Sequence, residues 1–254
     1  MRWRHWLDEP ASGVRNMAVD HALAENCVAT GEGVLRFYRW TSPTVSLGRN
    51  ERALGLYNAS DVSTHTIDFV RRPTGGRAVL HDRELTYAVA CPLEDLDGLR
   101  ALYRRVNEGL VRGLQALGAD VALHQTEERA PAPDEGPCFR TPVSDEVIWR
   151  GKKLVGSAQV RIGRAVLQHG SLIVEGDQAM VSELKGEEAG EQPATLDEVL
   201  GGVPHWDELS EALREGVAGV LGGVWVPSVM SAVEGSTASR WEGRYGSDEW
   251  TWRR

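Results

Sequence analysis

The chain has 254 residues, 41% hydrophobic and 26% charged, enough to bury a substantial core in one large domain. A formal net charge of −9 argues against a general nucleic-acid binder, which needs a basic face for phosphates. No apolar run approaches the roughly 20 residues of a spanning helix. The first ten residues, MRWRHWLDEP, have no apolar core after their positive charges, so no secretory signal is expected and a cytoplasmic location is.

Asn16 to Asn26 reads as a short helix, with Met17, Ala18, Ala22 and Leu23 on one face. Asp20 and His21 within it read as surface or structural residues, and Cys27 at its end as a small buried thiol. Val34 to Thr41 (VLRFYRWT) is rich in aromatic and β-branched residues and reads as a strand, broken by Ser42-Pro43 and resumed over Thr44 to Leu47. Helix potential follows near Glu51 to Tyr57.

Phe69 and Val70 end a strand, and Arg71-Arg72-Pro73-Thr74-Gly75-Gly76-Arg77 forms a basic, glycine-rich loop. Paired glycines let a backbone approach a ligand closely, and the arginines suit an anionic or carbonyl-bearing one. A tight turn with solvated arginines is the plainer reading. The spacing is not that of a P-loop. His81 and Asp82 follow, a pair that is either structural or catalytic. Leu85, Tyr87, Val89 and Cys91 alternate with small residues, so Cys91 lies on one face of a strand and is expected to be packed.

Leu99, Leu102, Val106, Leu110, Leu114 and Leu117 mark the clearest helix, with Gly118 as its stop. Residues Thr126 to Pro142 (TEERAPAPDEGPCFRTP) are polar and proline-rich, a long loop that carries Cys138. Glu146 to Arg150, a Gly151-Lys152 turn and Lys153 to Ile162 read as a β-hairpin, and a further turn leads to a strand over Ala165 to Val174. Ala179 to Pro204 reads as loop with short helical pieces. Trp206 to Leu221 is a second amphipathic helix, and a last helix suits the tail.

Two features carry chemistry. Cys138 follows Gly-Pro on a loop, where a thiol is accessible, and a nearby cation would favour its reactive thiolate. In Gly151 to Gln159 (GKKLVGSAQ), Lys153 opens a strand, and Gly156, Ser157 and Ala158 are too small to fill the space above it. Either a ligand or another backbone can approach there. The cysteines Cys27, Cys91 and Cys138 match neither a disulfide framework nor a zinc pattern, so no metal is expected.

In this order, NMAVDHAL, WTSPTVSLGR, RRPTGGRAVLHDRELTYAV, KKLVGSAQ and LQHGSLI resemble the biotin/lipoate protein ligase family over nearly the whole chain. The resemblance implies a single α/β (α+β) catalytic domain over residues 1–254, of the type shared with biotin ligases and class II aminoacyl-tRNA synthetases. Such a domain has a mixed main sheet with flanking helices and a smaller sheet, and residues 126–145 would cover the substrate. TGGRAVLH, the Cys138-Phe139 pair and GSAQ are more similar to the family's cysteine-dependent octanoyltransferases than to its ATP-dependent ligases, which tend to have a glycine where Arg77 stands.

That likeness implies transfer of an octanoyl group from octanoyl-acyl carrier protein to a lysine of a lipoyl-accepting protein. The acceptor would be a glycine cleavage H protein or a dehydrogenase E2 subunit, with no cofactor, nucleic acid or membrane involved. Cys138 would be the nucleophile and Lys153 would hold the thioester carbonyl. Thr74, Gly75, Gly76, Gly156, Ser157 and Ala158 would line the acyl tunnel or its carbonyl end, and Arg71, Arg72 and His81 would shape the mouth. The alternatives are an ATP-dependent lipoate–protein ligase, an amidotransferase between lipoyl domains, and a binding module that keeps the pocket without turnover.

Overall fold

The computed structural model describes residues 1–57, 67–95, 98–125 and 144–253. Their main sheet has eight strands. From one edge to the other these are β11 (Val224–Pro227), β1 (Arg2–Leu7), β2 (Glu32–Tyr38), β6 (Glu84–Pro92), β10 (Ala165–Ile173), β9 (Lys152–Ile162), β8 (Val147–Trp149) and β7 (Ala122–Leu123). The β11–β1–β2 part is parallel and the rest antiparallel. A smaller sheet places β3 (Thr44–Leu47) between a parallel β4 (Asp68–Arg71) and an antiparallel β5 (Val79–His81).

The central strands β6 and β10 are buried at every position. On one face of β6, Leu85, Tyr87, Val89 and Cys91 enter the larger core with Leu102, Val106, Leu110 and Leu114 of helix α2 (Leu99–Ala116). On the other face, Ala88 and Ala90 leave room for helix α1 (Gly13–Thr30) to lie close to the sheet. Cys91 is therefore packed, as its strand position predicts. Cys27 is also buried, and loss of hydration pushes its thiol pKa up to about 12.

Helix α1 is longer at both ends than its apolar stripe indicates. Ser12 caps its first turn by accepting from Arg15 N, and Gly31 ends it in the left-handed region at φ 67°. Gly118, at φ 92°, stops the chain just past α2 as expected. Two expectations fail. Residues 51–57 form a turn at Gly55 (φ 75°) rather than a helix, because the Glu51 carboxylate folds inward to cap Gly48 N and pair with Lys185. The hairpin turn is Arg150-Gly151, one residue earlier than read, since both have positive φ (48° and 83°) and Trp149 pairs with Lys152. The short helices α3 (Ala179–Glu183) and α4 (Leu196–Leu200) fall inside the polar stretch.

Helix α5 (Trp206–Leu221) packs on α2 through glycines. A Cβ on Gly216 would lie 2.2 Å from Gly109 O and 2.4 Å from Gly113 N. This close crossing fixes α2, whose Asn107 reaches under the sheet to Ser157 Oγ (3.0 Å). Gly216→Ala is expected to destabilise by about 1–3 kcal/mol, read as a lower urea midpoint with unchanged slope; an unchanged midpoint would contradict the packing.

On the opposite face, helix α6 (Ala232–Tyr245) covers α1. His21 stacks on Trp241 with centroids 3.7 Å apart and meets Tyr245 Oη at 2.7 Å. Burial lowers the His21 pKa from 6.5 to about 4. The native state thus holds a neutral ring where the unfolded chain binds a proton. Stability is full above pH 6.5 and declines as pH falls toward about 4. The loss attributable to His21 is on the order of 3 kcal/mol across that window. Urea midpoints of wild type and His21→Phe are expected to converge as pH falls through it. Parallel curves would remove His21 from the acid limb.

Candidate active site

Asp20, on the buried face of α1, is fully enclosed and is the hub of the site. Its Oδ1 accepts from Arg36 Nη1 (2.9 Å), and its Oδ2 accepts from the Tyr38 hydroxyl (2.7 Å) and from His169 Nδ1 (3.1 Å). Arg36 also donates to Asn16 Oδ1 (2.9 Å) and Asp8 Oδ2 (2.9 Å), so the buried pair has the additional partners that such a pair requires. Because the carboxylate only accepts, His169 carries its proton on Nδ1, and Nε2 is left to accept from the Thr74 hydroxyl at 2.6 Å. Burial lowers the His169 pKa, in keeping with a neutral ring. A relay thus runs from the arginine–glycine loop through β10 to α1.

A second relay lies beside it. Arg72 Nη1 donates to Ser46 Oγ (3.1 Å), which meets His81 Nε2 at 2.7 Å, while His81 Nδ1 donates to Glu84 Oε1 at 2.9 Å. Trp40 stacks on the His81 ring (4.0 Å) and donates to Thr86 Oγ1, which in turn bonds Glu84. Asp82 is exposed, so the partner of His81 is Glu84 and not its sequence neighbour.

The loop arginines are not solvated. Arg72 Nη2 donates to Gly75 O (2.8 Å) and Arg77 O (2.7 Å), so the loop is wrapped around its own side chain. Arg71 is fully buried and donates to Thr251 O and Glu51 O, tying β4 to the C-terminal helix α7 (Asp248–Thr251). It is not among the residues that border the pocket between the two relays. Gly48 is required where β3 meets the loop: a Cβ there would fall 1.8 Å from Gly76 O.

This pocket opens to solvent. Met17 and Tyr38 border it from α1 and β2, Arg72, Gly76 and His81 from the small-sheet side, and Gly156, Ser157 and Ala158 from β9. His169, Gly170 and Ser171 supply the β10 wall. The small residues of GSAQ do line space, as their size predicts. Gly170 shows why: a Cβ there would meet Gly156 O and the Tyr87 ring at 2.6 Å. The Tyr87 hydroxyl meets Ser157 Oγ (2.7 Å) and accepts from Gln168 (2.9 Å), holding the strand from behind. Thr74 is fully buried and reaches the wall through His169, and Gly75 is half-buried with open space beside its Cα.

Lys153 is buried on β9, three residues before Gly156, or about 10 Å along a strand. Its Nζ lies 2.7 Å from Glu146 Oε1, and both side chains are enclosed. A register shift where β8 meets β9 lies beside it. Cys138 and the rest of 126–143 lie outside the described residues. Among the described residues, no group of His, Cys, Asp and Glu could hold a metal ion, and no helix is long and apolar enough to cross a membrane.

The relay runs between segments that also match a known domain. The lipoyl protein ligase A/B catalytic domain matches residues 12–217. The chain belongs to this family. It is 38% identical to the octanoyltransferase LipM of Kyrpidia tusciae, over 99% of both chains. It is 36% identical to the LipM of an Exiguobacterium species, over 99% of this chain and 98% of the relative. Among solved structures, protein Ta0514 of T. acidophilum with bound lipoic acid superposes with a TM-score of 0.79 at 25% identity, covering 99% and 100% of the two chains. The large mixed sheet with its smaller companion is the lipoate ligase fold.

Sequence reading left Asp20 and Glu146 out of the site. The signal for Asp20 is a charge inside the run MAVDHALA, where a surface reading would require the helix to turn its apolar face outward. Glu146 carries no local signal, since only folding of the hairpin brings it to Lys153. Asp20→Asn is expected to cost about 1–3 kcal/mol by leaving Arg36 with Asp8 as its only carboxylate among the described residues and Asp20's three donors with a weaker acceptor, and to change the His169 tautomer seen in nitrogen NMR. A loss under about 1 kcal/mol would show that the hub does not hold the fold.

Proposed function

We propose that this family member is an octanoyltransferase that passes an octanoyl group from acyl carrier protein to a lysine of a lipoyl-accepting protein, through an acyl-Cys138 intermediate. The observation that carries the reading is the preformed, largely apolar pocket bounded by the GSAQ strand, with Lys153 further along that strand and paired with the buried Glu146 immediately before β8. The full-length likeness to two proteins named octanoyltransferase supports the same chemistry.

In the first step the Cys138 thiolate attacks the thioester carbonyl carbon. The bond from that carbon to the carrier sulfur breaks and the carrier thiolate leaves. In the second step the neutral lysine amine of the acceptor attacks the acyl-cysteine. The carbon–sulfur bond breaks, an amide forms, and the proton shed by nitrogen returns to the thiolate. Thioester exchange is nearly balanced in energy and aminolysis runs downhill, so no nucleotide is needed. Lys153 stabilises the negative charge that develops on the carbonyl oxygen, and Glu146 positions it by a contact of 2.7 Å.

The octanoyl tail lies in the pocket, with about 0.8 kcal/mol gained per buried methylene. The acceptor is a glycine cleavage H protein or a dehydrogenase E2 subunit, both of which present a lysine on a lipoyl domain.

Octanoyl-carrier protein and an apo lipoyl domain are expected to yield octanoylated domain without ATP; a strict ATP requirement would overturn the reading in favour of a ligase. Lys153→Ala is expected to lower kcat by roughly 10²–10³. Ala158→Leu should shorten the preferred chain, with octanoyl losing to butanoyl by roughly tenfold or more. Unchanged chain-length preference would remove the pocket from acyl recognition.

A further inference from the structure

Ser171 is a buried hydroxyl without a hydrogen-bond partner among the described residues. It sits in the middle of β10, with Gly156 of β9 directly opposite on one side and Thr86 of β6 on the other. Facing residues of paired strands share one side of the sheet, and Gly156, Thr86 and Ser171 all border the pocket. Thr86 is already committed to Trp40 and Glu84. His169, two residues before Ser171 on the same face, is committed to Asp20 and Thr74. Gly156 has no side chain to offer. The nearest side chains on that face, Thr86 and His169, are therefore engaged, the Glu84 carboxylate beyond Thr86 keeps one oxygen of its own unpartnered among the described residues, and the Ser171 hydroxyl borders the pocket.

An unpartnered buried hydroxyl lowers the stability of the empty protein, and its retention calls for a use. An octanoyl chain has no polar atom that could satisfy it except at the thioester end. We propose that Ser171 donates a hydrogen bond to the carbonyl oxygen of the bound acyl group, and so sets the depth of that carbonyl at the level of Gly156. This rests on the acyl-transfer reading for the identity of the ligand. The bare backbone of Gly156 gives the carbonyl room to lie against the strand, and the tail then runs toward Met17 and Tyr38. Lys153 lies three residues, or about 10 Å, from Gly156 along β9, so Ser171 supplies a neutral donor from β10 that is distinct from the cation on β9.

The test compares two non-transferable ligands by equilibrium binding. One is the ketone analogue of octanoyl-pantetheine, in which a methylene replaces the sulfur; the other is the same molecule with the carbonyl reduced to methylene. Wild type is expected to prefer the ketone by roughly tenfold. Ser171→Ala should abolish that preference and leave binding of the carbonyl-free ligand unchanged, whereas Ser171→Thr, which keeps the hydroxyl, should retain it. Thermal unfolding supplies a second readout of opposite sign, because Ser171→Ala removes an unsatisfied group and is expected to hold or raise Tm. Equal ketone preference in wild type and Ser171→Ala, or a Tm lowered by the alanine, would overturn the proposal. The binding arm needs no turnover, so failure of octanoyl transfer itself would show separately, as absence of amide product with the ketone preference intact.

Discussion

A carboxylate with no access to water organises this protein. Asp20 is enclosed between α1 and the main sheet, and an ionised carboxylate in that position survives only if its lone pairs are filled. Arg36 and Tyr38 of β2 and His169 of β10 fill them. The requirement propagates. His169 must hold its proton toward Asp20, so its other nitrogen must find a donor, and Thr74 supplies one. The glycine-rich loop is thereby moored to the middle of β10, which is where the pocket wall begins.

The second relay, from Arg72 through Ser46 and His81 to Glu84, uses the same logic on the small sheet. Both chains contain a hydroxyl, an imidazole and a carboxylate, the residue types of hydrolytic triads. Here they act as struts. Thr74 is wholly buried and bonded into the loop it anchors, and Ser46 is enclosed while accepting from a guanidinium. Their effect is to hold two sheets at a fixed separation with an apolar gap between them. A preformed gap of this kind lowers the ordering cost of binding a flexible acyl chain, because the protein side is already fixed.

Much of this was legible in the sequence, for definite reasons. The strand containing Leu85 to Cys91 and the helix from Leu99 onward have strong periods, and the small residues of GSAQ announced an unfilled space. Strand β1 was not legible, because RWRHWL mixes arginine with tryptophan and its burial follows no clean alternation. The plainer reading of the loop arginines as solvated failed for a different reason. Arg71 and Arg72 are buried and donate to backbone carbonyls that only the folded loop provides, while Arg72 also borders the pocket. The pair of Asp20 with His169 leaves no local pattern because it joins distant segments, and that of Lys153 with Glu146 depends on the register shift between β8 and β9.

The central claim is that the pocket presents an acyl thioester to a cysteine beside a buried lysine, and that the acyl group rests on that sulfur before reaching the acceptor. Rapid-quench mass spectrometry of a single turnover, with octanoyl-carrier protein and apo lipoyl domain and no nucleotide, tests it most directly. The account requires an octanoyl adduct on the Cys138 peptide that appears before the amide product and decays at the rate at which that product forms. Amide formed at full rate by Cys138→Ala, or an adduct that persists while product accumulates, would contradict it.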